Sequence, residues 1–139
     1  MFFILDTNVI SEMMLPVPDA AVVAWFRQHS NDDFATTTIS YAEIYAGIEL
    51  LAQGKRKQAL RLAAQNLFDN EFAGRIYSFD PAAGLEMALV NAERTRLGLP
   101  ISFPDACIAA ICLVHKATVA TRDVGGFVKT GIQIVNPWA

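Results

Sequence analysis

The feature that most constrains this chain is its opening, Met1-Phe2-Phe3-Ile4-Leu5, an apolar run halted abruptly by Asp6-Thr7-Asn8. Four consecutive apolar residues, 2–5, do not alternate with polar ones. They therefore predict a strand buried on both faces, as strands are in parallel sheets covered by helices. Parallel neighbours cannot be joined by tight hairpins, so the rest of the chain must supply crossover helices. An acid at the C-terminal end of such a strand sits at the edge where open α/β sheets place their ligand crevice. Asp6 would equally serve as an ordinary helix N-cap, with Thr7 and Asn8 as turn formers.

The required alternation is present. Residues 9–14 predict a short helix stopped by Pro16 and Pro18, and Asp19 opens another through Val22, Val23, Trp25 and Phe26. Residues 34–38, rich in threonine, predict the second strand. Ser40-Tyr41-Ala42-Glu43 has the spacing of a capping box at the head of a helix that closes at Gly54. A helical period resumes over 55–72, and 76–79 predict a third strand. Asp80-Pro81 starts a helix over 82–97, closed by Gly98. Ser102-Phe103-Pro104-Asp105 repeats the start signal before 106–115, which is apolar on nearly every side and belongs in the core. Strands at 118–121 and 132–135 finish the chain, separated by Val124-Gly125-Gly126, which predicts a flexible loop. Strands alternating with helices imply an α/β fold: a mostly parallel central sheet with helices on both faces. At 139 residues, 1–139 form a single domain.

Composition narrows the class. At 53% hydrophobic and 18% charged, the chain can bury a core and is no disordered tail. No apolar run reaches the roughly 20 residues of a membrane span. The first residues lack the basic and apolar regions of a signal peptide, so a cytoplasmic location and no membrane partner are expected. Cys107 and Cys112 lie five apart in an apolar segment, poorly placed to bridge and expected as reduced core thiols. They form no Cys-x-x-Cys pair, and His29 and His115 are isolated, which argues against structural zinc. The net charge of −3 argues weakly against nucleic acid. That sum misleads if several acids share one site. The bases gather at Lys55, Arg56, Lys57 and Arg61, and at Arg94 and Arg96. The first group is either a solvated face or a patch turned to RNA.

In a parallel sheet the C-terminal ends of all strands meet at one edge, and four acids fall there. Asp6 ends the first strand, Glu43 follows the second in the first turn of its helix, Asp105 lies in the first turn of the core helix, and Asp123 follows the fourth strand. Each has an ordinary explanation: Glu43 and Asp105 as reciprocal capping-box partners of Ser40 and Ser102, Asp123 as a turn former. Together they are less ordinary, because four like charges in one crevice raise one another's pKa unless a cation neutralises them. Hard cations such as Mg²⁺ and Mn²⁺ take oxygen ligands and keep waters, which suits phosphodiester hydrolysis. There is no Gly-x-Ser-x-Gly elbow and no Walker A loop.

These residues resemble the PIN-domain family, and within it the VapC-type toxins of toxin–antitoxin pairs, near the FitB-like branch. The resemblance runs through Leu5-Asp6-Thr7-Asn8-Val9-Ile10-Ser11 and Thr38-Ile39-Ser40-Tyr41-Ala42-Glu43-Ile44-Tyr45-Ala46-Gly47-Ile48. It continues through Pro104-Asp105-Ala106-Cys107-Ile108-Ala109-Ala110, Thr121-Arg122-Asp123 and Asn136-Pro137-Trp138. It implies an endoribonuclease with an acidic Mg²⁺ or Mn²⁺ site made by Asp6, Glu43, Asp105 and Asp123. Asp6 and Asp105 would be direct ligands, and Glu43 and Asp123 would complete the site or act through water. Thr7 and Thr121 would orient the carboxylates, and Arg122 would contact RNA phosphate or pair with the site acids. The resemblance further implies a homodimer, a cognate antitoxin lying across the acidic pocket, and promoter DNA bound only through that antitoxin. In one departure, related toxins often carry Asn where Asp123 stands and Asp where this chain has Gly126. The alternatives are a non-catalytic PIN-fold module for protein or RNA, and a related metal-dependent phosphatase or DNA nuclease.

Overall fold

The opening run is the middle of the sheet. In the computed structural model, which describes residues 2–139, Phe3–Leu5 form β1, flanked on one side by Phe34–Thr37 (β2) and on the other by Thr118–Ala120 (β4). Met1, where the run starts, lies outside the described residues. Ile76–Tyr77 (β3) pairs outside β2, and Ile134–Val135 (β5) outside β4, giving the order β3-β2-β1-β4-β5. Every pairing is parallel: Phe3 is opposite Phe34 and Thr118, and Thr36 is opposite Ile76.

Because successive side chains of a strand point to opposite faces, β1 feeds two cores. Phe3 and Leu5 enter one, with Val9, Ile10, Trp25, Ile44, Ile48 and Phe68. Ile4 enters the other, with Ala35, Ile108, Ile111, Val119 and Phe127. Burying each large apolar side chain is worth about 1.5–3 kcal/mol, so a polar residue anywhere in β1 would cost one of the cores its centre.

Six helices cover the sheet. Thr7–Met13 (α1), Ala20–Arg27 (α2), Thr38–Glu49 (α3) and Lys55–Asn66 (α4) come before β3. Pro81–Arg96 (α5) follows it, with Asp80 as N-cap and Pro81 at the first helical position. Phe103–His115 (α6) then runs through the core with 106–112 buried, Cys107 and Cys112 among them as free thiols. Among the described residues no helix is long and apolar enough to cross a membrane.

Three local expectations are corrected. The cap of α3 is Thr37, whose hydroxyl accepts from Ser40 N–H at 3.1 Å, so Ser40 and Glu43 form no capping box and Glu43 lies in the second turn. The helix ends at Glu49 rather than near Gly54, because Gly54, with φ 155°, is instead the residue from which α4 starts. The expected flexible glycines form a 3-10 turn, Val124–Gly126, capped by Asp123. In addition, α4 continues into a π-helical turn, Leu67–Glu71, and the last strand shortens to its final residues.

Candidate active site

Asp6 closes the ladder between β1 and β4: its N–H donates to Ala120 carbonyl at 2.9 Å, and its side chain turns to cap α1. The carboxylate is only 5% exposed, yet both oxygens have donors. Oδ1 accepts from Thr7 N–H and Oδ2 from the Thr121 hydroxyl, each at 2.7 Å. The fully buried Thr121 has no freedom left. Its one proton goes to Asp6, while its oxygen accepts from Asp123 N–H at 3.0 Å and Asn8 Nδ2 at 3.3 Å.

Thr7 extends this array to α3. Its hydroxyl donates to Glu43 Oε1 at 2.7 Å and lies 2.9 Å from Ser40 Oγ, which is buried. At the other end, Ser102 caps α6 by accepting from Asp105 N–H at 3.3 Å. Ser102 also bonds the Asp105 carboxylate through its side chain, which steadies this acid at the head of α6. Asp123 Oδ1 accepts from Gly126 N–H at 3.2 Å. A Cβ built on Gly126 would lie 2.6 Å from Asp123 Oδ2 and 3.1 Å from Asp105 Oδ2, so both oxygens border the same small space beside that glycine.

The four acids feel one another. Burial pushes Asp6 up to about 6; the Thr121 and Thr7 hydrogen bonds oppose that rise, and the charges of Asp105 and Glu43 add to it. Burial also raises Asp105, with Asp123 and Glu43 adding and the Ser102 bond and Arg94 charge opposing. A carboxylate held out of water among its own kind is an anion in want of a cation. The donors are all oxygens, which matches a hard divalent ion. Among the described residues no three His, Cys, Asp or Glu side chains make a ready-made cage. A hard ion such as Mg²⁺ would need only one or two of these carboxylates, with water filling its other positions.

Arg122 stands at the rim. Its guanidinium lies over the Trp138 ring, 5.0 Å from the centroid, and its N–H donates to Asn8 Oδ1 at 3.3 Å. Among the described residues it forms no ion pair with the site acids. Half of the basic cluster is likewise spoken for. Lys57 is buried, donates to Glu49 carbonyl at 3.1 Å and lies 3.7 Å from the Glu49 carboxylate, which also pairs with Arg61. Arg56 instead lines a groove of about 340 Å³ with Thr7, Met14, Glu43, Ile44 and Leu60. A larger cavity, about 480 Å³, opens at the opposite edge of the sheet beside Phe2, Cys112, Lys116 and Ile132, with no acid lining it.

Sequence reasoning missed Ser40, Asn8 and Arg94 as parts of this array. Asn8 and Ser40 carried no signal beyond their neighbours. Arg94 did carry one: Ala83, Met87, Val90 and Arg94 recur at helical spacing on the inward stripe of α5, and a cation on such a stripe requires an explanation.

Known proteins are similar to this chain over nearly its whole length. The PIN domain family model matches residues 3–132. Toxin FitB of Neisseria gonorrhoeae is 38% identical over 135 residues, covering 97% of each chain. VapC ribonuclease Y4jK of Sinorhizobium fredii is 37% identical over 139 residues, 97% of this chain and 96% of the relative. The solved structure of FitAB bound to an IR36 DNA fragment superposes with a TM-score of 0.93 at 37% identity, covering 99% of this chain and 96% of that one.

Proposed function

This chain belongs to the PIN-domain family, as a VapC/FitB-type toxin of a toxin–antitoxin system, and on that premise we propose that it is a Mg²⁺- or Mn²⁺-dependent endoribonuclease restrained by a cognate antitoxin. The observation that carries this reading is the buried Asp6 carboxylate, pushed up to about 6 and sharing one sheet edge with Glu43, Asp105 and Asp123. The relative named a VapC ribonuclease supports the choice of RNA.

Asp6 and Asp105 would hold the cation, with Glu43 and Asp123 completing its surroundings. When bound, a divalent ion would supply Lewis acidity for water activation and for charge on the phosphoryl oxygens. Thr121 and Thr7 keep Asp6 and Glu43 from rotating, which spares the site reorganisation when charge develops. Thr7 donates to Oε1 of Glu43, so this exposed carboxylate is held in one orientation and would be available to take up a proton at the site. Arg122, flattened on Trp138, presents its guanidinium edge to an RNA phosphate.

The groove beside Glu43 suits an antitoxin segment: apolar along its length, with an acid at one end for a basic side chain. FitAB has been solved on DNA, and promoter DNA would reach this chain in the same way, through the antitoxin. Leu85 and Leu89, exposed on α5, supply the apolar face a homodimer needs. The whole of 1–139 acts as one PIN domain in the cytoplasm, where the RNA is.

The test is cleavage of single-stranded RNA, branched DNA and a phosphomonoester by purified protein in Mg²⁺ or Mn²⁺, beside Asp6→Asn and Asp105→Asn. Loss of a partner outside the coordination sphere costs roughly 10–100-fold, so each of these should cost a hundredfold or more on RNA. Variants that cut as well as the parent would sink the reading, and preferential cutting of branched DNA would replace it.

A further inference from the structure

We propose that Arg94 is a positioning residue: one buried guanidinium that fixes the gap between the Asp105 and Asp123 carboxylates and so sets how tightly that half of the site holds a divalent cation. The proposal rests on the acidic site described above and deepens it.

Arg94 lies in the last turn of α5 and is 5% exposed. A buried cation normally has a carboxylate within ion-pair reach, because desolvating it alone is expensive. Among the described residues Arg94 has none. It spends its donors on carbonyl oxygens instead: Nε on Leu99 at 2.7 Å, Nη1 on Val128 at 2.7 Å, and Nη2 on Pro100 at 3.5 Å. Nη1 also reaches Gly125 at 3.3 Å and Gly126 at 3.4 Å.

These carbonyls belong to two different loops. Leu99 and Pro100 lead into Ser102, which caps α6 and seats Asp105. Gly125, Gly126 and Val128 belong to the turn that Asp123 caps and run just beyond it. One rigid fork therefore ties together the two segments that carry the two acids. What it holds in register is tight, since the Asp105 and Asp123 oxygens both border the single space beside Gly126. A fold-maintaining arginine needs only to satisfy its donors, whereas this one satisfies them on both walls of a candidate ligand site. Lysine cannot replace it, because an ammonium on a flexible stem lacks a planar fork to span both loops.

The experiment is Mn²⁺ titration of the metal-free protein, followed by the loss of free Mn²⁺ electron paramagnetic resonance signal at a temperature where circular dichroism reports each variant folded. The set is wild type, Arg94→Met, Arg94→Lys and Asp105→Asn. Arg94→Met should weaken Mn²⁺ binding roughly 10–100-fold, the range for partners that orient ligands. Arg94→Lys should recover part of the melting temperature but little of the affinity, and amide exchange at Gly126 should quicken in both. If Asp105→Asn weakens Mn²⁺ while folded Arg94→Lys binds like wild type, the arginine is merely structural and the proposal fails. If Arg94→Met does not fold, Arg94→Lys decides alone on the same criterion. If Asp105→Asn itself leaves Mn²⁺ binding unchanged, the acidic site is not the cation site, and the proposal falls with it.

Discussion

The two halves of the acid cluster are built by different means. Asp6 and Glu43 are held by side-chain hydroxyls, Thr121 and Thr7, that are themselves pinned by a strand end and a helix face. Asp105 and Asp123 are placed by backbone: a helix cap, a turn, a glycine with no side chain, and an arginine gripping carbonyls. In the first half Asp6 is buried and bonded at both oxygens, so its anion is held at a cost, while Glu43 is exposed. The second is more open, and its geometry is only as good as two loops allow. Substitutions should therefore separate energy from position: around buried Asp6 they answer in stability as well as activity, around exposed Glu43 and Asp123 chiefly in activity.

The largest effect belongs to the buried acid. Asp6 is raised to about 6 by burial, so the folded chain binds its proton more tightly than the unfolded one, whose Asp titrates near 3.8. Stability from this group is complete below pH 4 and is lost as pH rises through 6. Without metal, the loss approaches about 3 kcal/mol at neutral pH, taking 1.36 kcal/mol per unit. Urea melts of metal-free protein between pH 4 and 8 should show that decline, and Asp6→Asn should flatten it. A variant with the same slope as wild type would mean that the acid is not strained.

Next comes Gly126→Ala. The new methyl would collide with Asp123 Oδ2, the free end of a side chain, so the fold gives way cheaply but the carboxylate must turn. Cleavage should fall roughly 10–100-fold with stability within about 1 kcal/mol. Gly125→Ala meets open space and should do neither. Equal activity in both variants would erase the distinction between the halves.

The smallest effect is a difference between two threonines. Thr121→Val strips Asp6 Oδ2 of its donor in a buried setting, leaving only the Thr7 N–H on Oδ1, and leaves the half-buried Asn8 amide and Asp123 N–H without this acceptor. It should cost about 1–2 kcal/mol more in melts than Thr7→Val, which frees an exposed Glu43. Thr7→Val should lower cleavage instead.

Much of this was legible beforehand because parallel sheets leave little choice. A run such as 2–5 must lie in the middle, and acids after successive strands must share an edge. The fold class and the core helix follow from that, as does the expectation that four acids lie toward one edge. Glu43 was expected in the first turn of its helix as the partner of Ser40, and it lies in the second. Thr36, Thr37, Thr38 and Ser40 are all competent caps, and only the strand's true end at Thr37 selects among them. Gly54 was misread because glycine serves equally well after one helix or before the next. Arg94 escaped because its partners are carbonyls, which every residue has and no sequence marks.

The strand order carries a consequence for how this protein is made. β1 leaves the ribosome first, but Ala120, which receives the Asp6 N–H, comes far later, and Asp123 later still. Contacts that span nearly the whole chain form slowly and late. A partly synthesised molecule is therefore a sheet lacking half its centre, with three carboxylates and no fourth. A growing chain therefore completes the proposed site only when its synthesis is nearly done.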